Sequence, residues 1–260
     1  MGIAQRLYSD FLLPSRMDEY RRLIERALEK NYIHLTLLEY FSLLKESKID
    51  PDLKYFLHRH DIDTDPDTAR AFFEIEMELG VKTSYYFRLK TMDIDLYREM
   101  VDQGFEVGYH YEELSDFCKK NGIKQKENVQ LRFSEIRELF KKNVRAIEEK
   151  TGKKIRSVAA HGDFVNRKLS LPNFSFVNEE LLLELKIELE CYHPMLIHSL
   201  DFIGSDTHYP RFYTPSSPFE AIEKNIPVIY LLSHPRHWRR NILLNLADDV
   251  QRFKEGVLFN

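Results

Sequence analysis

Apolar positions along the chain switch repeatedly between a spacing of three to four and a spacing of two. Met17, Tyr20, Leu23, Ile24 and Leu28 share one helical face, which predicts a helix over Arg16 to Lys30 behind Ser15. Thr36 and Glu39 have the reciprocal capping-box spacing and open a second helix to about Lys48. Tyr55 to Arg59 reads as a strand. Asp65 followed by Pro66 starts a helix that runs to Leu79 and stops at Gly80. Val81 to Phe87 is rich in β-formers, Asp93 to Gln103 is helical, and Phe105 to Tyr109 is the next strand. A long helix follows from about Glu127 to Lys150, with Leu131, Ile136, Leu139, Phe140, Val144 and Ile147 on its apolar side. Ile155 to Ala160 reads as a strand. Gly162 to Asn178 has no period and reads as a long loop. Leu181 to Glu190 is a helix running into a strand, Asp201 to Gly204 a short strand, and Pro218 to Lys224 a short helix. Pro227 to Leu232 is a strand and Arg239 to Phe253 a closing helix. This alternation predicts an α/β fold with parallel strands and right-handed crossovers, without repeats or linkers.

Composition narrows the classes. The chain has 260 residues, a length that one α/β barrel fills. Hydrophobic residues are 43% and charged residues 31%, which excludes a disordered chain. No apolar run approaches the ~20 residues of a membrane-spanning helix. A net charge of −4 argues against nucleic acid as a partner. The two cysteines, Cys118 and Cys191, form no metal spacing and no disulfide framework. The segment Met1 to Arg6 lacks the apolar core of a signal peptide, so a cytoplasmic protein is expected.

Chemistry-bearing residues collect just after four strands: His58-Arg-His60-Asp61-Ile-Asp63, His110-Tyr111-Glu112, His161-Gly-Asp163 and His234-Pro-Arg236-His237-Trp238. In an α/β barrel such positions converge on one mouth. Strand parity divides the first cluster. Arg59, Asp61 and Asp63 share one face, and His58 and His60 share the other. Either the aspartates face the mouth, or His58 and His60 form a His-x-His metal pair of the amidohydrolase or phosphoesterase kind. The aspartate set is preferred, because it falls where the strand gives way to Asp65-Pro66. Asp65 itself reads as a helix cap.

His60-Asp-Ile-Asp-Thr-Asp-Pro66, Gly104-Phe-Glu-Val-Gly-Tyr-His-Tyr-Glu112, Ala160-His-Gly162 and Leu232-Ser-His-Pro235 together resemble the NodB-homology polysaccharide deacetylases, carbohydrate esterase family 4. The likeness spans roughly Leu53 to Trp238. It is closer to a divergent branch associated with O-antigen and capsule biosynthesis, which the Tyr32 to Glu39 stretch also resembles. The resemblance implies a distorted (β/α) barrel of seven parallel strands in a single domain over residues 1–260, with 1–52 as a helical segment packed on the barrel. It implies hydrolysis of a sugar acetyl group with a divalent metal, zinc first among candidates. Asp61 matches the catalytic base, Asp63 the metal-binding aspartate despite one extra residue between them, His110 a metal ligand and His234 the catalytic acid. The family's second metal histidine would fall at Leu114. His161 is preferred as its replacement, with Glu112 as the other choice. The family's base-orienting Arg-Pro motif has no match near Ala160-His161-Gly162.

The chemistry is sound on physical grounds. A divalent ion polarises an acyl carbonyl and acidifies water. A free carboxylate takes the water's proton, and a histidine on the far side protonates the leaving group. Tyr111, Glu112, Asp206, Arg236 and Trp238 are the expected substrate contacts, and a nucleotide- or lipid-linked acetylated sugar is the expected substrate. A non-catalytic carbohydrate-binding relic of the fold is the remaining alternative.

Overall fold

Residues 2–259 are described by a computed structural model; Met1 and Asn260 lie outside it. Among the described residues nine strands form one sheet: β1 Tyr32–Leu35, β2 Lys54–Ile62, β3 Ser84–Phe87, β4 Glu106–Tyr111, β5 Ser157–Ala160, β6 Leu189–Glu190, β7 Phe202–Asp206, β8 Tyr213–Thr214 and β9 Val228–Ser233. The order is β6-β5-β4-β3-β2-β9-β7-β8, with β1 on the first half of β2. Every pairing is parallel except that of β7 with β8. The seven strands from β6 to β7 form the parallel run, and β1 and β8 raise the count above the seven expected. Neither carries a readable period. β1 is four residues between two helices, and β8 is a two-residue hairpin partner. Among the described residues, the hydrogen-bonded path ends at β6 and β8.

The helices leading up to the middle of the chain include α1 Ile3–Phe11, α2 Met17–Glu29, α3 Leu37–Lys45, α4 Pro66–Leu79, α5 Ile94–Asp102 and α6 Glu113–Asn121. Residues 1–52 thus contribute a strand as well as helices. The Thr36 hydroxyl accepts from the Glu39 amide at 3.1 Å, and the Glu39 carboxylate accepts from the Thr36 amide at 2.9 Å. Asp65 caps α4 by accepting from the Thr68 amide. The expected long helix is broken: Lys126–Gln130 is a separate turn before Phe133–Thr151. The expected loop after Gly162 contains the helix Phe164–Leu169 and a tight turn at Asn173–Phe176.

The sheet separates two environments. Its inner face carries Tyr55, Leu57, Tyr86, Ala159, Leu189, Cys191, Val228 and Tyr230, and α3 closes one end with Leu37, Leu38, Tyr40 and Phe41. The outer face packs Phe56, Ile62, Tyr85, Phe87, Ile229 and Leu231 against α2, α4 and α5. Tyr109, Tyr111 and Val158 pack against α6 and Phe133–Thr151. On the inner face Gly108 has no substitute, because a Cβ there would lie 2.4 Å from the Ser157 carbonyl and 2.6 Å from the Tyr86 ring. The Tyr86 hydroxyl crosses this gap to Glu106, whose carboxylate also accepts from Ser84 Oγ, Ser157 Oγ and the Leu38 amide. A cavity of about 550 Å³ beside Leu38 and Glu106 lies at the starting end of the strands, away from the histidines.

Glu113, at the start of α6, is buried, with Tyr109 and Asn143 both donating to Oε1. Burial pushes its carboxyl up to about 7. The folded chain therefore keeps a proton that the unfolded chain releases from pH 4.5 upward. Stability falls as pH rises through that window, by about 3 kcal/mol in all. Glu113→Gln removes this dependence, so its stability relative to wild type should rise by that amount between pH 4.5 and pH values above 7. Denaturant melts at the two ends of the window check it, and a pH-independent difference would contradict it.

Candidate functional site

The ends of β2, β4, β5 and β9 bring polar side chains together where the inner face opens. On β2 the alternation continues to the last residue, so Arg59 and Asp61 point inward. Just beyond the strand, the Asp63 amide turns back to the Asp61 carbonyl at 3.0 Å. Both aspartates thereby reach the same centre, although Ile62 separates them. Arg59 is 1% exposed and grips Asp61 with two bonds of 2.7 Å, from Nε and Nη2. Its guanidinium lies between the Tyr86 and Tyr192 rings, 5.4 and 5.3 Å from their centroids. This planar fork fixes both oxygens of Asp61. Parity had already put Arg59 on the same face as Asp61; that was the available signal for a residue the motif reading left out.

Three ligand-type atoms form a triangle. Asp63 Oδ1 is 3.3 Å from His110 Nε2 and 3.0 Å from His161 Nδ1, and the two imidazole nitrogens are 3.1 Å apart. Two atoms each about 2.1 Å from one ion stand about 3.0 Å apart at a right angle and about 3.4 Å apart at the tetrahedral angle. The triangle falls within that range, so these residues fit a divalent ion. His110 Nδ1 donates to the Ala159 carbonyl at 2.9 Å, which leaves Nε2 with its lone pair toward the centre. Asp63 Oδ1 is buried without a hydrogen-bond donor. Burial opposes ionisation of Asp63, but His161 and His110 hold its carboxyl well below the usual range. Burial also pushes the His161 imidazole down, which favours the neutral, ligating form.

The opposite wall is built on Asp206. Its side chain is fully buried and accepts from the His234 amide at 2.6 Å, from His234 Nδ1 at 2.7 Å and from Trp238 Nε1 at 2.8 Å. His237 Nδ1 is 2.9 Å from the same carboxylate. Burial lowers the proton affinity of His234, but Asp206 outweighs it, and the imidazole is pushed up to about 9. His234 thus carries a proton at neutral pH, with Nδ1 held and Nε2 left for the cavity. Asp206, His234 and His237 are close enough to share an ion themselves, but the Asp206 oxygens are already occupied by these donors. A cavity of about 200 Å³ is lined by Asp63, His234, Arg236 and His237, and by Arg6 and Arg252 from two separate helices. A second cavity of about 380 Å³ adjoins His161 and is lined by Phe174 and Tyr192. Those rings are 5.2 Å apart, inclined at 28° to one another, and 38% and 40% exposed.

The expected substrate contacts are placed differently. Tyr111 is fully buried on the outer face among Phe140 and Phe176, with its hydroxyl on Glu190. It follows inward-facing His110, so parity turns it away. Glu112 is gripped by Arg88 through both oxygens. Trp238 is 1% exposed and serves Asp206 rather than the cavity. Arg236 does line the cavity, while Asp10, Asp248 and Asp249 hold its guanidinium. His58 and His60 sit on the outer face, 1% and 0% exposed. There the Tyr20 hydroxyl meets His58, His60 and Glu76, and His58 Nε2 bonds Ser233 Oγ at 2.7 Å. The hydroxyl occupies the middle of that group, and neither cavity described above reaches it.

No protein-family model matches the chain, and no curated protein does. Solved structures do. A carbohydrate esterase family 4 pseudoenzyme from Bacillus anthracis aligns at TM-score 0.42 with 18% identity, over 80% of this chain and 62% of that one. A mutant of it with restored enzymatic activity aligns at TM-score 0.43 with 16% identity, over 80% and 64%. The peptidoglycan deacetylase PdaC from Bacillus subtilis aligns at TM-score 0.37 with 14% identity, over 80% and 96%. The chain spans less than two thirds of the length of the first two. Among the described residues, no helix is long and apolar enough to cross a membrane.

Proposed function

We propose that this chain is a metal-dependent hydrolase that removes an acetyl group from a sugar, built as a distorted barrel of the NodB-homology type. The observation that carries the reading is the meeting, at one opening, of the Asp63–His110–His161 triangle, the Arg59-gripped Asp61 and the Asp206-held His234. Asp63, His110 and His161 hold the ion. A bound divalent ion supplies carbonyl polarisation and acidified water at neutral pH. Asp61, fixed by Arg59, accepts the proton of the attacking water. His234 delivers its proton to the departing nitrogen or oxygen. The sugar ring lies against Phe174 and Tyr192. This makes Asp61 and His234 the catalytic residues, and Asp206, Trp238 and Arg59 positioning residues.

The finer reading follows the motif resemblance: an O-antigen or capsule precursor, a nucleotide- or lipid-linked substrate, zinc as the ion, and action in the cytoplasm. Cys118 and Cys191, both buried and unpaired, suit a reducing compartment. Purified protein stripped with a chelator and reloaded with zinc tests the reading. Release of acetate from an aryl acetate and from a nucleotide-linked N-acetyl sugar should disappear on stripping and return on loading. Metal-loaded protein that turns over neither compound, yet binds the sugar, would establish the non-catalytic relic instead.

A further inference from the structure

The cavity at Asp63 and His234 carries an arrangement of charge that hydrolysis of an acetyl group does not use. Arg6, Arg236 and Arg252 line it, and among the described lining residues Asp63 is the one carboxylate. Three further acids, Asp10, Asp248 and Asp249, pair with these arginines, and none of the three lines the cavity. The cluster is close to neutral as a whole, but it is polarised. Guanidinium groups face the opening and carboxylates stand behind them. The three arginines differ in what they have left to give. Arg236 spends Nε on Asp10, Nη1 on Asp248 and Nη2 on Asp10 and Asp249, and so ties α1 to the last helix, Ile242–Phe259. Arg6 gives Nε to Asp10 and Nη2 to Asp249, and keeps Nη1. Arg252 pairs through Nε with Asp248 at 2.7 Å, four residues earlier on its own helix, and keeps both Nη nitrogens.

Helix docking accounts for Arg236 and for part of Arg6. It does not account for Arg252, whose ion pair joins nothing to the body although its side chain lines the cavity of the site. The Arg6 and Arg252 side chains are 45% and 47% exposed, so their remaining donors are open to a ligand. A guanidinium held from behind by a carboxylate has lost much of its freedom and presents its other N–H groups in a fixed fork, which suits a group with several anionic oxygens. The place of the cavity identifies the part of the substrate that reaches it, and this step rests on the reading of the opening as a sugar deacetylase. His234 faces the departing group, and the departing group is the sugar. The acyl half stays with Asp63, His110 and His161. Cations that share a cavity with His234 therefore meet a substituent of the sugar. We infer that this substituent is anionic, a phosphate ester or a carboxylate, and that Arg6 and Arg252 receive it. A nucleotide or lipid carrier would supply the phosphate ester, and an acidic sugar the carboxylate.

Calorimetric titration of the chelator-stripped full chain tests this, because without an ion at Asp63 the arginines are the source of any preference for anions. N-acetylglucosamine 1-phosphate or N-acetylneuraminic acid should bind at least about 10-fold more tightly than N-acetylglucosamine, and the advantage should shrink as salt rises. The tighter of the two anions names the group, phosphate ester or carboxylate. Arg252→Gln should remove most of the advantage, and Arg6→Gln combined with it should remove the rest. Arg252→Lys should keep part, since the charge stays and the fork is lost. Arg252→Gln breaks a pair within one helix, so its thermal midpoint should match wild type and the lost affinity cannot come from unfolding. No advantage of either anion over the neutral sugar would overturn the inference. So would an advantage that survives the double substitution, or inorganic phosphate binding as tightly as the sugar phosphate. Metal-dependent acetate release without an anion preference retires this inference alone; an arginine-dependent preference without acetate release sustains it and retires the hydrolase reading alone.

Discussion

His161→Ala is expected to strip the protein of its divalent ion and of its turnover together. In the proposed site three side chains would hold the ion, and His161 Nδ1 stands 3.0 and 3.1 Å from the other two donors. Loss of one of three donors should weaken metal retention by more than the ~10–100-fold that follows loss of a group supporting a ligand. Asp63→Ala should do the same and also remove the charge that balances the cation. Glu112→Ala is the informative contrast. Its carboxylate is engaged on both oxygens by Arg88, so the variant should keep its metal while losing stability through an unpaired, buried Arg88. Metal analysis after dialysis checks all three. Retention in His161→Ala with loss in Glu112→Ala would move the third donor to Glu112.

The strand-end clusters were readable in the sequence because a period of two fixes which residues share a face. Once Asp61 was assigned inward, Arg59 and Asp63 had to follow and His58 and His60 had to turn away. In the structure Arg59 and Asp61 lie on the inner side of β2 and His58 and His60 on the outer side, while Asp63 lies past the end of the strand and is turned back by its own amide. The same rule, applied one strand further, removes Tyr111 from the opening: it follows His110 directly and is buried among aromatics. Residue type had suggested a substrate contact there, and position decides against it. Trp238 departs from the expected substrate contact for another reason. An aromatic near a sugar site suggests a platform, but its indole nitrogen is spent on Asp206 across 32 residues of sequence.

Long-range pairing is what local patterns do not carry. β1 is too short for a period and becomes a strand because Tyr32 to Leu35 lie in register with Lys54 to Leu57. The Arg88–Glu112 pair and the ties from Asp10 to Arg236 and His208 join segments tens to hundreds of residues apart. The last helix shows the limit most clearly. Its apolar period is plain in the sequence and predicts a helix, but period alone assigns the apolar row to the core. The row, Leu243, Leu246, Val250, Phe253 and Val257, faces outward while Asn245, Asp248 and Glu255 on the other side of the helix have buried or ionic partners on the body.

Asp61→Asn and His234→Ala are expected to separate metal binding from catalysis. The asparagine is nearly isosteric and leaves the three donors Asp63, His110 and His161 in place, so metal content should stay within error of wild type, although the fold loses stability because buried Arg59 loses its counter-charge. It cannot accept the water's proton, and turnover should fall by ~10²–10⁴ on every substrate. His234→Ala should also keep the metal but discriminate between substrates. An amine leaves only when protonated, whereas a phenolate leaves unaided, so deacetylation of an N-acetyl sugar should suffer far more than hydrolysis of an aryl acetate. The pH dependence tests the support beneath the acid. With Asp206 in place His234 holds its proton up to about 9, and the alkaline limb of turnover should lie there. Asp206→Asn removes the hydrogen-bonded carboxylate that favours the charged imidazole and leaves burial opposed only by Asp63 and Asp61. The limb should then move down toward or below ~6.5, so that activity lost at alkaline pH is partly regained on acidification. A bound cation lowers the starting value but not the direction of this change. Equal losses on amide and aryl ester in His234→Ala, together with an unmoved limb in Asp206→Asn, would remove His234 from the role of proton donor.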